Sequence, residues 1–197
     1  MTRSTRSLAA SGAALVALAL VTTADSARGD DTITHPGDHP AYNVEVEPHL
    51  LLGWDDVYAE GGWGLGVRFG IPIVDNGFVT TINNSVAISF GGDILHYDNC
   101  WYNGPCSANY IDIPVDLQWN FYVARRFTAF GELGLDVYHG FYADCPNGPT
   151  CPGRPLGGGI GIEPDIYIGG RYYFNQGIAL TLRLGFPAVS FGVSFFP

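Results

Sequence analysis

Residues 178–197 read IALTLRLGFPAVSFGVSFFP. Ile178, Leu180, Leu182, Leu184 and Phe186 fall on one side of an extended chain. Ala179, Thr181, Arg183 and Gly185 fall on the other. Beyond the Phe186–Pro187 corner the alternation resumes, with Val189, Phe191, Val193 and Phe195 against Ser190, Gly192 and Ser194. Period two marks a strand between two unlike surroundings. A soluble sheet would turn these leucines into a core. A membrane barrel turns them to lipid and hides the arginine.

The same pattern runs upstream. It reads as eight strands, at about 42–54, 62–74, 83–97, 110–123, 127–141, 157–174, 177–186 and 188–196, with ends good to about 2–4 residues. In the fourth, Ile111, Ile113, Val115, Leu117, Trp119, Phe121 and Val123 oppose Asp112, Asp116, Gln118 and Asn120. In the fifth, Ala129, Leu133, Leu135 and Val137 oppose Thr128, Glu132 and Asp136. In the sixth, Ile160, Ile162, Ile166 and Ile168 oppose Glu163, Asp165 and Arg171. The first and second set Val44, Val46, Leu50, Leu52, Leu65, Val67, Phe69 and Ile71 against Glu45, Glu47, His49 and Arg68. No amphipathic helix interrupts the run, so the chain is expected to be all-β with an even strand count.

Composition narrows the choice. Charged residues are only 14 % of the chain, against about 25 % in soluble domains. There is no lysine, and the net charge is −10, which excludes a basic nucleic-acid-binding surface. The polar face is rich in glycine, at Gly53, Gly64, Gly66, Gly70, Gly91, Gly134, Gly161, Gly169, Gly185 and Gly192. Glycine suits the crowded inside of a narrow barrel and offers nothing to a water-facing sheet. Aromatic residues gather near strand ends: Tyr42, Trp54, Trp63, Tyr97, Trp101, Tyr110, Trp119, Phe121, Tyr142, Tyr172, Tyr173, Phe174, Phe195 and Phe196. Such rings suit a membrane–water interface. The apolar face is therefore expected to meet lipid.

The N-terminus reads as a secretory signal over residues 1–24, with two arginines, a short apolar stretch and small residues before a cleavage point after Ala24. Cleavage would leave a mature net charge of −12, because Arg3 and Arg6 are lost. Residues 25–41 are polar and broken by Pro and Gly, and read as a flexible lead-in. His35 and His39 stand four apart, but Pro36 and Gly37 prevent the helix that would align them on a metal. Residues 42–197 form the barrel.

Long and short connections alternate. The long ones, 98–109 and 142–156, each carry two cysteines, Cys100 with Cys106 and Cys145 with Cys151. In an exported chain these read as two disulfides, local pairing being the simplest arrangement and cross-pairing the alternative. The spacing does not suit zinc. An up-and-down barrel of eight strands puts both loops at one end.

Eight strands, long loops at one end, short turns at the other and an aromatic-rich C-terminus resemble the small bacterial outer-membrane barrels of the OmpA/OmpX kind. The resemblance spans about residues 42–197. It implies an eight-stranded antiparallel up-and-down transmembrane barrel in the bacterial outer membrane, monomeric and surrounded by lipid. In that family an aromatic residue ends the last strand; Phe195 and Phe196 match, and Pro197 follows them. No counterpart of the OmpA-type peptidoglycan-binding domain is expected.

With lipid outside, the interior would hold Glu45, Glu47, Asp93, Asp112, Asp116, Glu132, Asp136, Glu163 and Asp165 against Arg68, Arg171 and Arg183. Buried charges must be paired, hydrated or neutralised. Strand order suggests Glu47 with Arg68, Glu132 with Arg171, and Glu163 or Asp165 with Arg183. The expected role is a polar, largely plugged interior. A structural or surface-contact function would act through the stapled loops, with Trp101 and Tyr102 as contact candidates for an extracellular partner. A narrow cation-preferring path is the alternative, and a secreted lipocalin-like barrel with an apolar lumen is another. No catalytic group, cofactor or metal is expected. His96 and His139 face outward near the loop end without the serine a lipid-processing site would need, and His49 reads as a hydrogen-bonded interior residue.

Overall fold

The computed structural model describes residues 31–53, 61–97, 107–143, 160–186 and 188–197. Thr32–Pro197 form one compact unit, the second along the chain. The expected signal segment, all four cysteines, Trp101 and Tyr102 lie outside the described residues.

The second unit is a closed barrel of eight antiparallel strands in sequence order. They are β1 (Glu45–Gly53), β2 (Gly62–Val74), β3 (Asn84–Tyr97), β4 (Ser107–Ala124), β5 (Phe127–Ala143), β6 (Ile160–Asn175), β7 (Ile178–Phe186) and β8 (Ala188–Phe195). β1 closes onto β8 through His49↔Gly192 and Leu51↔Ser190. Closure leaves no sheet edge along the shared length of the strands, as lipid requires of any β structure that crosses it.

The period-two alternation places every side chain. Leu52, Leu65, Ile94, Leu133, Leu135, Ile162, Ile166 and Ile168 are more than half exposed on the outside. Glu47, Asp112, Asp116, Glu132, Asp165, Arg171 and Arg183 are almost fully buried inside. The barrel is inside-out, and it crosses a membrane. Water would penalise so continuous an apolar exterior, and the charged lumen excludes the lipocalin-like alternative.

The strands differ in height. β1, β7 and β8 have 9, 9 and 8 residues, close to the 9–11 or so that a tilted membrane strand needs. β4, β5 and β6 have 18, 17 and 16. The β4–β5 ladder continues to Ser107↔Ala143, so the loops expected from 98 and 142 lose their inner residues to strand. The β6–β7 ladder starts only at Ile166↔Phe186. Ile160–Asp165 thus rise above β7 at the loop end with no strand partner on that side among the described residues.

The glycines of the inner face each oppose a large side chain on the next strand. Gly62 faces Tyr97, Gly66 faces Asp93, Gly161 faces Tyr138, Gly169 faces Phe130 and Gly185 faces Tyr167. A methyl group on Gly62 would lie 2.6 Å from the Tyr97 ring. The rings occupy space that the missing Cβ atoms leave. Three aromatic residues expected at the membrane interface follow from this. Tyr97, Tyr110 and Tyr173 turn inward and are buried, because their register falls on the inner face. Trp63, Tyr172, Phe174 and Phe195 do face outward.

Residues 32–41 depart from the expected flexible lead-in. Asn83 N–H donates to Ile33 O at 2.8 Å, and Thr32 Oγ1 donates to Tyr122 O at 2.9 Å. The composition of the segment is that of a linker, but its backbone groups find partners at the short-turn end of the barrel.

Candidate functional site

The interior charges meet across the lumen and not along it. Arg68 on β2 places Nη1 2.5 Å from Asp116 on β4 and Nη2 3.3 Å from Asp165 on β6. Arg183 on β7 pairs with Glu47 on β1, and its Nε lies 2.8 Å from Glu132 on β5. Arg171 on β6 holds Glu45 on β1 at 2.7 Å and donates to Asn120 and Gln118 on β4 at 2.8 and 3.0 Å. Each arginine thus passes over the strands beside its own. The pairs expected from strand order, Glu47–Arg68, Glu132–Arg171 and Glu163 or Asp165 with Arg183, give way to these. Glu47 and Arg68 are indeed register neighbours. In an eight-stranded lumen, however, a side chain as long as arginine reaches the far wall.

Glu132 is the hub. Its Oε2 accepts from Arg183 and lies 4.0 Å from Arg68, and its Oε1 accepts from Gln118 at 2.5 Å. Ser194 donates to Glu47 at 3.2 Å and lies 2.6 Å from Thr181. Phe130 carries Arg171 and Arg183 over its ring, at 4.5 and 5.2 Å from the centroid. Gln118, Asn120, Ser194 and Phe130 went unremarked as network members in the sequence reading. Their signal was present: all four stand at inward register positions.

Toward the loop end the balance turns acidic. Asp93, Asp112, Asp136 and Asp165 line a cavity with Arg68, Leu51, Leu95 and Tyr167. Its volume of about 10 Å³ is that of a single water. His49 Nε2 lies 3.0 Å from Asp93, and His49 Nδ1 3.2 Å from Glu47 O. Glu163, half-buried, points inward above this layer. Among the described residues no group of three His, Cys, Asp or Glu side chains is arranged to hold a metal ion.

Outside, His96 Nδ1 lies 2.7 Å from Asn109 Oδ1, and its ring packs near Trp63. His139 packs edge-on against Phe141 at 4.4 Å.

At the turn end two consecutive asparagines, Asn83 and Asn84, are fully buried. Asn84 Nδ2 donates to Val79 O and Ile82 O, and its Oδ1 accepts from Trp119. It closes the 75–83 turn onto β4. Asn83 does the same for residues 32–41. Neither stood out in the sequence.

No family model matches this chain, and no curated protein matches it. Three solved structures are similar to it in fold. Ail, the attachment invasion locus protein of Yersinia pestis, in complex with the heparin analogue sucrose octasulfate, shares 8 % identity over 78 % of this chain and 95 % of its own, with a TM-score of 0.48. The outer membrane protein OprG from Pseudomonas aeruginosa shares 10 % over 82 % and 92 %, with a TM-score of 0.48. Neisserial surface protein A shares 14 % over 78 % and 96 %, with a TM-score of 0.44.

Proposed function

We propose that this chain is an integral barrel of the bacterial outer membrane, with a polar plug for an interior and a surface-contact role at its loop end. The observation that carries the reading is the cross-lumen arginine–carboxylate network beneath an apolar exterior. Its charges pair with one another, and the cavity lined by Asp93, Asp112, Asp136 and Asp165 has room for about a single water. The tall β4–β6 wall supports the contact role. It lifts Phe141, Ile160 and Ile162, all strongly exposed, beside the cysteine-bearing loops. The cysteines are proposed to form two disulfides that stiffen those loops, with Trp101 and Tyr102 offered to an extracellular partner. Enzymatic activity has no support in the outward histidines, which have aromatic and amide neighbours.

The test has two steps. The folded chain in detergent should migrate differently on a gel before and after boiling, and should carry no conductance steps in a planar bilayer. Binding of the folded chain to cell-surface or matrix material should then weaken when the loop aromatics are replaced. Regular cation-selective steps would instead favour the second reading, a narrow cation path. That reading rests on the acidic excess of Asp93, Asp112, Asp136 and Asp165 toward the loop end.

A further inference from the structure

The turn end carries a feature that neither the plug nor the loops require. From Tyr42, whose ring meets Phe196 edge-on beyond β8, the chain runs back past the ends of β2, β3 and β4. His39 Nε2 lies 2.9 Å from Asp75 O after β2. Asn83, before β3, donates from Nδ2 to Asp38 O at 2.7 Å and from its backbone N–H to Ile33 O. Thr32 is buried, bonded to Tyr122 O at the end of β4. The His39 ring lies flat on Tyr122, with centroids 4.4 Å apart and planes 8° from parallel. Tyr122 itself points into the barrel, and its hydroxyl lies 2.8 Å from Ser85 Oγ.

Beneath the segment is a half-open cavity of about 240 Å³. Gly37, His39, Pro40 and Tyr42 form one side of it, and Pro72, Ser85 and Tyr122 line the barrel side. The Tyr42 hydroxyl is buried with no hydrogen-bond partner among the described residues, and burial pushes its ionisation well above the usual phenol range.

The make-up of the segment is that of a hinged piece. Pro36 and Pro40 stiffen it. Gly37, at φ +80°, makes the bend that a residue with a side chain resists. Polar contacts and the His39–Tyr122 ring stack hold it, and most of its residues are exposed. Segments held this way open locally while the rest of the fold stays closed. We propose that Thr32–Ala41 is a lid latched by Asn83 and His39 across the turn-end mouth, and that its release exposes Ser85 and Tyr122, both buried at the back of the cavity, to solvent. The lid is independent of any loop-end contact, so it stands or falls separately from that reading.

The experiment uses the full folded chain in vesicles, with Ser85→Cys as a thiol on the cavity wall. Its reaction with a small water-soluble methanethiosulfonate is read on its own peptide, apart from the native cysteines. The reaction should be slow with the lid intact. It should be about tenfold faster or more when His39→Ala or Asn83→Ala is added, each variant keeping its heat-shifted band, because the opening equilibrium sets the rate. Equal rates with and without the latch residues would overturn the lid. Hydrogen exchange on the unmodified chain gives a second measurement that needs no variant. Protected amides at residues 32–38 support the lid, and coil-like exchange there overturns it.

Discussion

Arg183 is the residue on which the interior depends most. It is 2 % exposed and serves both Glu47 and Glu132. Removing one partner from a buried ion pair costs about 3–5 kcal/mol, because the remaining charge is stranded. Arg183→Met is therefore expected to lower the unfolding free energy of the barrel, read from its urea denaturation curve, by about 3–5 kcal/mol. Adding Glu132→Gln and Glu47→Gln to Arg183→Met should recover much of the loss, since no uncompensated charge then remains. If the triple variant were as unstable as the single, the network would matter through packing and not through charge. Gly169 is the matching steric case. A side chain there would collide with the Phe130 ring, and Phe130 carries two of the three interior arginines. Gly169→Val should cost about 1–3 kcal/mol, the usual penalty for overpacking, and the same denaturation curve checks it. Gly170, one residue on, faces outward beside Phe127 with contacts of 3.2 Å, so Gly170→Ala should cost less.

Among the elements, the strands were the most legible part. Alternation pointed to the face each residue took: eleven of the twelve expected interior charges are buried, and Glu163 is half-buried. Pairing within the lumen was not legible, because neighbour order along a sheet says nothing about reach across a barrel only eight strands round. The inward tyrosines were lost for a related reason. Tyr97 and Tyr110 stand near strand ends, where composition suggests an interface, but register and the facing glycines decide. The contacts of residues 32–41 were not legible, because a polar, proline-broken composition is the same for a free linker and for a docked one. Depth along each strand gives a prediction at this scale. Leu133, 64 % exposed, lies well inside β5, whereas Ile160, 76 % exposed, opens β6 above the end of β7. Arginine on a lipid-facing barrel position costs about 2–4 kcal/mol at the midplane and about 0–1 near the interface. Leu133→Arg should therefore destabilise the barrel strongly in lipid, and Ile160→Arg should leave it nearly unchanged. Equal losses would place the top of β6 inside the hydrocarbon and remove the support for a protruding wall.

For the whole molecule, the unequal wall and the proposed plug constrain each other. A barrel that conducts needs a continuous wet path, and fixed charges spaced to pass an ion along it. Here Arg68, Arg171 and Arg183 each bridge opposite walls, so opening a path requires several buried ion pairs to separate together. Each such separation strands charge in a space with little water. The intact chain should give no discrete conductance steps, and the heat-shifted gel band should show the barrel to be folded in the same preparation. Replacing Arg68 with alanine tests the link between plug and path. Arg68 lines the acidic cavity, so its loss should enlarge and hydrate that space around Asp93, Asp112, Asp136 and Asp165. If the variant keeps its heat-shifted band and acquires cation-selective steps, the arginine is what closes the lumen, and the acidic layer is a latent cation path. If the folded variant stays silent, the proposed closure belongs to the rings of Tyr97, Tyr110 and Tyr138 above that layer. The glycine–aromatic packing would then be the element that carries the proposed plug.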